Sequence, residues 1–438
     1  MTSDITLDVY SRSGGGQILR VAARNSATFE WIHHAHVGVD AGLTAPQLTV
    51  IRDLATPLPE PSSPAPLSAL QAAALRYADA STFNVTVPQR TVDALKKELG
   101  DNEQQLLEAT ATVATYNMVS RLLVALDVGD MGATTVPYPE CIEEEHMVEV
   151  DPDVKLYVRT AKRDDSAPWL VFVNSLMTNW SMWDLVLPRL SKSFNLIVYD
   201  QRGHGKVSFL LAAVGRFRKL TILPLQSSVP PQGCSIAQLA EDITKILKTL
   251  SIPTPIHAVV GVSQGGATTL GFARAHGELA KCFVACDTQA ASPAANAKAW
   301  DDRIALARAE GMGALADATV PRWFPPPSEL RAGGRKESWL WDMVANTSVD
   351  GFARGANALQ GYDVLPGLAE ALKDKRILLV AGERDGALPA GLAKLKETLE
   401  SQGAPSVALE VIPGSGHLPM CDNAQTWLDA VEKFLTSA

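Results

Sequence analysis

The run Gly261-Val262-Ser263-Gln264-Gly265 constrains this chain more than any other stretch of its length. An apolar segment, Ile256-His257-Ala258-Val259-Val260, precedes it, and a helical pattern from Ala267 to Ala275 follows. Gly-x-Ser-x-Gly between a strand and a helix predicts a sharp, strained turn that holds the serine Oγ out above a sheet. Glycine two positions either side lets the backbone bend and the helix pack close to the strand. Ser263 is therefore the candidate nucleophile.

A serine hydroxyl is a poor nucleophile at neutral pH, so it needs a base, and the base needs an orienting acid. The C-terminal part offers both in the order Ser, Asp/Glu, His. Arg376 to Ala381 reads as a buried strand, and Gly382-Glu383-Arg384-Asp385 leaves its end. Asp385 thus sits at a strand C-terminus, where such sheets carry their sites. The next strand, Val407 to Ile412, ends in Pro413-Gly414-Ser415-Gly416-His417. The candidate acid is Asp385, with Glu383 second, and the candidate base is His417. The plainer reading makes Asp385 a helix cap and His417 a surface loop residue.

An oxyanion needs two backbone N–H donors. The first expected donor is Gln264, directly after the nucleophile. The second comes from the loop after the strand Trp169 to Val173, where Leu176 is the first choice and Ser175 the second. His204 follows the strand Asn195 to Tyr199 and is expected to shape its turn.

The motifs Asn174-Ser175-Leu176, Ser181-Met182-Trp183-Asp184, Asp200-Gln201-Arg202-Gly203-His204-Gly205, Gly261 to Gly266 and Gly414-Ser415-Gly416-His417-Leu418 resemble those of the 3-oxoadipate enol-lactone hydrolases of the α/β-hydrolase superfamily. The resemblance runs through Ala299 to Ile304, Arg308 to Met312 and Arg322-Trp323-Phe324, and covers about residues 145–438. It implies an α/β-hydrolase fold with a helical cap and a serine mechanism needing neither metal nor organic cofactor. The hydrolase domain is expected at 147–438. Residues 288–361 interrupt the strand alternation with a helical, tryptophan-bearing segment, the expected cap. The family substrate is a small lactone bearing a carboxylate. Arg303 and Arg322 are therefore candidate carboxylate ligands, with Trp300 and Trp323 as apolar walls. The arginines also fit solvated helix faces, and the tryptophans a cap core.

The front of the chain is helical in pattern: Ile18 to Val39, a helix starting near Pro46, Leu67 to Ala80, Thr91 to Leu99 and Glu103 to Leu126. Leu19-Arg20-Val21-Ala22, Phe29 to Val37, Ala41-Gly42-Leu43-Thr44 and Tyr116 to Leu122 are similar to a carboxymuconolactone decarboxylase-like domain. That resemblance implies a small all-α domain over 1–130, starting late relative to the family, with 131–146 as a linker. The Cys-x-x-Cys pair of the peroxidase branch is absent, which excludes its thiol chemistry. Glu30 and His34 lie one helical turn apart and are candidate acid–base partners, against a buried structural role. Glu30-x-x-His33 and Glu143-x-x-His146 have metal-ligand spacing. A di-metal bundle would want a second such copy plus further carboxylates, so no metal is expected.

Length and charge agree with this division. The 438 residues suffice for two or three domains, and the net charge of −9 without a basic run argues against nucleic acid. Five scattered cysteines predict a reducing, cytoplasmic setting, the start predicts no signal peptide, and the apolar part of 207–226, interrupted by Arg216, Arg218 and Lys219, is too short for a membrane span. Residues 207–226 interrupt the family pattern between Gly205-Lys206 and Ser227-Ser228, and removing them restores it. They read as a retained intron of a eukaryotic gene, or else as an insertion beside the site mouth. The expected function is opening of 3-oxoadipate enol-lactone in aromatic catabolism, coupled to decarboxylation of 4-carboxymuconolactone in the front domain. The alternative is a carboxylesterase or lactonase of other range with a front domain that only assembles a homo-oligomer.

Overall fold

The computed structural model describes residues 15–128, 136, 142–205, 227–326, 328 and 335–437. The segment 207–226 lies outside the described residues. The chain divides into two compact units, Met1–Cys141 and Ile142–Ala438.

The first unit is helical: α1 (Gly15–Arg24), α2 (Thr28–Asp40), α3 (Ala45–Arg52), α4 (Ala69–Asn84), α5 (Gln89–Glu98) and α6 (Glu103–Ala125). α1 is the central helix. Its residues Gly15 to Ala23 are all buried, with Leu19 and Ala22 packed on Trp31, Ile51 and Leu75, and Val21 on Leu95 and Val113. A helix buried along its length must find partners inside the core for its polar side chains. Its one buried cation, Arg20, is satisfied on all sides. It meets both oxygens of Asp79, at 2.7 and 2.8 Å, and donates to the carbonyls of Ile51 and Asp53. Burial would raise the Asp79 carboxyl, but Arg20 and Arg24 beside it hold it well below the usual carboxylate range.

The sequence pattern reads Ile18 to Val39 as one helical stretch, whereas the chain breaks it at Asn25-Ser26-Ala27. Ser26 takes φ 52. The Asn25 amide leaves the helix to donate to Asn117 Oδ1 and Ser120 Oγ of α6. A tertiary polar contact thus ends a helix whose apolar periodicity continues. α4 begins at Ala69 rather than Leu67, because Ser68 and Gln71 form a capping box.

The second unit is one eight-stranded sheet. Its strands are β1 (Ile142–Asp151), β2 (Val154–Lys162), β3 (Trp169–Val173), β4 (Asn195–Tyr199), β5 (Ile256–Val262), β6 (Ala280–Cys286), β7 (Arg376–Gly382) and β8 (Val407–Ile412). They lie in the order β1-β2-β4-β3-β5-β6-β7-β8. The first two strands pair antiparallel, and β2 pairs antiparallel with β4. From β4 onward every pairing is parallel. The inner strands are near-continuous apolar runs, with Asn195, His257, Lys281 and Arg376 at or near their starts, because helices cover both faces of a parallel sheet.

Helix α7 (Leu187–Leu190) follows β3, α8 (Ile236–Thr249) follows β4, and α9 (Gln264–His276) follows β5. Between β6 and β7 come α10 (Ala295–Trp323), α11 (Arg335–Ala345), α12 (Val349–Asn357) and α13 (Leu368–Ala371). α10 is broken at Gly311, which has φ 86. α10, α11 and α12 occupy the segment 288–361 expected as a cap, and α13 lies beyond it. The chain ends through α14 (Leu388–Ser401), β8, α15 (Pro419–Asp422) and α16 (Ala424–Thr436).

Residues 142–146, read from sequence as part of a 131–146 linker, are instead the start of β1. The acidic run disguised the strand. Glu144 and Glu145 are exposed on this edge, while Val148 and Val150 are buried. Charge on an edge strand discourages pairing with other chains. The three-residue spacing from 143 to 146 therefore lies on a strand, not on a helix turn where it would serve a metal. Among the described residues no helix is long and apolar enough to cross a membrane.

Glu30 of α2 is 1% exposed, and among the described residues neither of its carboxylate oxygens has a hydrogen-bond partner. Burial pushes its carboxyl up to about 8, from an ordinary 4.5. A raised acid contributes fully to stability below its unfolded value and loses that contribution as pH climbs through the folded value. Glu30→Gln should melt like the parent near about pH 5 and above it near about pH 9, by on the order of a few kcal/mol. Calorimetry at the two pH values checks this. An identical pH dependence in both proteins would remove the argument.

Candidate active site

The C-terminal ends of β3, β5, β6 and β7, with the β8 loop, surround a cavity of ≈ 300 Å³. Ser263 stands between β5 and α9 with φ 58 and ψ −117, a conformation outside the regular regions for a side chain–bearing residue. Glycines permit that turn. A Cβ at Gly261 would lie 2.1 Å from the Gly265 carbonyl, and one at Gly265 would lie 2.0 Å from the Val173 carbonyl. The second contact seats the end of β3 against the start of α9. Backbone bonds tie the turn to β6 as well. Ser263 N–H donates to Cys286 O, and Thr288 Oγ1 donates to Ser263 O.

His417 and Asp385 line the same cavity as Ser263. His417 Nδ1 and Asp385 Oδ2 are 2.6 Å apart, so Nδ1 carries the proton and Nε2 is left as the basic nitrogen. Burial would raise the Asp385 carboxyl. The charge of His417, its hydrogen bond and the charge of Arg322 act against this, and the carboxyl is held low. Glu383, the second candidate acid, is engaged elsewhere: its Oε2 accepts the Gly414 N–H at 2.8 Å. It steadies the histidine loop and does not meet the imidazole.

That loop is also held from the cap side. His417 N–H donates to the Trp323 carbonyl at 2.8 Å, and the Trp323 ring stacks on the imidazole at 5.8 Å. A Cβ at Gly416 would lie 1.9 Å from the same Trp323 carbonyl. Trp323, expected as an apolar wall, is thus also a support for His417.

Leu176 and Gln264 both line the cavity. Among the described residues neither N–H is engaged in a hydrogen bond. The Ser175 N–H, the second-choice donor, is directed at Met182 Sδ at 3.4 Å. His204 lies just behind. Its Nδ1–H donates to Arg202 O, so its Nε2 accepts the Met177 N–H at 3.1 Å. Burial lowers it to about 4, which keeps it neutral and able to accept. Beyond the turn of its own loop, it also holds the Met177 N–H of the Leu176 loop.

Trp300, Arg303 and Arg322 complete the cap side of the cavity. The Arg303 guanidinium lies 4.5 Å above the Trp300 ring. Burial lowers its pKa, and the nearby Arg322 lowers it further. Among the described residues neither arginine forms an ion pair, whereas Arg20, Arg24, Arg189 and Arg202 all do. Two unpaired guanidinium groups facing one small cavity make a place for an anion.

Sequence reasoning missed Asp287, Thr288, Gln289, Asn296 and Tyr362, which also line the cavity. Asp287 had a readable signal, since it directly follows the apolar run of β6 at a strand C-terminus.

In the helical unit the candidate pair is not joined. Glu30 is buried and unpartnered, while the His34 ring meets Tyr116 edge-on at 5.1 Å. His33 is exposed, and its Nδ1–H donates to Phe29 O, so Glu30 and His33 form no ligand pair. Among the described residues the one group with metal-ligand proximity is Asp287, Asp385 and His417.

A family description, alpha/beta hydrolase fold, matches residues 168–424. The chain belongs to the α/β-hydrolase fold family. This hydrolase is 31% identical over 233 residues to 3-oxoadipate enol-lactonase 2 of Acinetobacter baylyi, a match covering 53% of this chain and 77% of that one. An enol-lactonase structure from Burkholderia xenovorans LB400 superposes with a TM-score of 0.57 at 28% identity, over 67% of this chain and all of that one. An esterase from Thermogutta terrifontis superposes with a TM-score of 0.55 over 67% of this chain and 98% of its own, and at 20% identity shows the fold alone.

Gly416→Ala places its Cβ against main-chain atoms that no rotamer change can move. It should cut hydrolytic turnover at least about a hundredfold by displacing His417, and lower the melting temperature by several degrees. Unchanged turnover would show that the Trp323 contact does not hold the histidine.

Proposed function

We propose that the second unit is a serine hydrolase that opens a small carboxylated lactone, 3-oxoadipate enol-lactone being the substrate that fits best. The observation that carries this reading is one cavity shared by Ser263, the Asp385-bound His417 and two arginines without ion-pair partners. At ≈ 300 Å³ the cavity is at the small end for ligand sites, which suits a compact ring rather than a long acyl chain. The enol-lactonase relatives agree with it.

In this mechanism His417 Nε2 takes the Ser263 proton as Oγ attacks the lactone carbonyl. Asp385 holds the imidazole tautomer and stabilises the imidazolium that forms. The Leu176 and Gln264 N–H groups receive the oxyanion. The ring C–O bond breaks, and His417 returns its proton to the leaving enolate oxygen. The acyl-enzyme is then hydrolysed by a water that His417 deprotonates. Arg303 and Arg322 bind the substrate carboxylate, and the cap excludes bulk water from the site.

For the helical unit the buried, unpartnered Glu30 favours a second reading. An uncompensated buried acid costs stability, and such costs gather at functional sites. We propose acid–base decarboxylation of a carboxylated lactone there, with His34 one turn away, so that its product feeds the hydrolase unit. Carbon dioxide release from 4-carboxymuconolactone by the full chain, lost in Glu30→Gln, is the expected result. No release by the parent chain leaves the helical unit without this role.

Ser263→Ala should reduce opening of 3-oxoadipate enol-lactone by at least about 10⁴-fold, since the whole triad acts through that oxygen. Arg303→Met should raise KM for the lactone about tenfold, the loss of a charged hydrogen bond, and leave KM for p-nitrophenyl acetate unchanged. Ester cleavage without lactone opening by the parent chain would keep the nucleophile and discard the substrate. Equal KM changes for both substrates would discard the carboxylate role of Arg303.

A further inference from the structure

A second aspartate stands behind the catalytic pair. Asp287 directly follows β6 in a left-handed conformation, φ 43, unusual for a residue with a side chain. Its main chain is fixed between the nucleophile and acid strands, with its N–H on Val380 O at 2.8 Å. Its side chain is 1% exposed. Oδ1 accepts the Gly382 N–H at 2.8 Å, and no described donor reaches Oδ2. Ligand atoms of Asp287, Asp385 and His417 all lie within 4.8 Å of one another.

An ionised Asp287 would leave Oδ2 as a buried charge without a partner, next to a second carboxylate. That arrangement is costly on both counts. A protonated Asp287 removes both costs, because Oδ2–H becomes a donor and the neighbouring carboxylate is its acceptor. We propose that Asp287 is a positioning residue whose carboxyl O–H donates to the Asp385 carboxylate. The Asp385 carboxylate is then held from two sides, by Asp287 O–H and by His417 Nδ1–H. This fixes the plane of the carboxylate, and through it the direction in which His417 Nε2 points. The Asp287 proton stays in place through the reaction, and only the proton between Ser263 and His417 moves. The charged and titratable groups facing Asp287 are Asp385, His417 and Cys286, with Arg322 acting on Asp385. Burial and the Asp385 charge both raise the Asp287 carboxyl. Cys286 is fully buried with its thiol raised well above the ordinary value, so it brings no charge at neutral pH.

The inference rests on the serine-hydrolase reading above, and the test separates the two. The full chain is labelled with a fluorophosphonate, which reports nucleophile reactivity whatever the true substrate. Ser263→Ala must abolish labelling; if labelling persists, the nucleophile assignment fails while the Asp287 question stays open to the infrared measurement below. Asp287→Asn keeps an acceptor for Gly382 N–H and supplies an amide donor to Asp385, so it should label within about threefold of the parent. Asp287→Ala and Asp287→Leu supply no donor and should label at least about tenfold more slowly. Labelling of Asp287→Ala at the parental rate overturns the proposal. So does Asp287→Asn being as slow as Asp287→Ala. Independently of activity, the infrared difference spectrum of parent minus Asp287→Asn near neutral pH should contain the carbonyl band of a protonated carboxylic acid. Its absence overturns the proposal even if the alanine variant fails to fold.

Discussion

At Gly265 and Gly416 main-chain atoms of different elements meet at distances that no side chain would allow. An added Cβ would lie 2.0 Å from Val173 O at the first and 1.9 Å from Trp323 O at the second. These two approaches draw the β3 loop onto the nucleophile turn and the histidine loop onto the cap. The rest of the site depends on them, because the Leu176 and Gln264 donors, Ser263 and His417 come from segments far apart in the chain. Hydrogen bonds then lock what the glycines allow. His204 Nε2 takes the Met177 N–H, and Trp323 O takes the His417 N–H. Groups fixed in this way before a ligand arrives need lose little entropy when it does.

Two buried charged groups of the second unit set Asp287 in contrast. Arg202 is buried but fully paired, with Asp242 and Asp151, and it braces the turn after β4. Asp200 is buried against the Trp180 N–H, and burial raises its carboxyl to about 7. These groups hold loops and find partners within the scaffold. Among the described residues Asp287 Oδ2 has no such scaffold partner, and ligand atoms of the acid and base of the proposed triad lie within 4.8 Å of its carboxylate. The same contrast holds in the helical unit. Arg20 and Asp79 satisfy each other, and Glu30 is left with both oxygens bare. Buried polar groups that a fold leaves uncompensated are where sequence consistency gives way to function.

The motifs of the hydrolase unit were legible because their chemistry demands particular residues at particular turns. Ser263, Asp385 and His417 each follow an apolar strand, and each strand lies where its residues indicate. The misreadings have physical causes. Asn25 ends a helix through bonds to α6, ninety and more residues away, which periodicity cannot register. The Glu-rich start of β1 looked like a solvated connection because an edge strand tolerates charge on its exposed side.

Residue type and order alone determined the parallel sheet, the strained serine turn and the candidate roles of Ser263, Asp385 and His417, since strand–turn–helix geometry and acid–base chemistry leave few alternatives. The tertiary structure decided what depends on meeting across the chain. It turned Glu383 to the Gly414 N–H and Ser175 to Met182, and it separated Glu30 from a hydrogen bond with His34. It brought Arg303 and Arg322 to one cavity without carboxylate partners among the described residues, and it placed Asp287 beside Asp385. Hydrogen-bond partners and burial arise between segments distant in sequence, and local composition does not encode them.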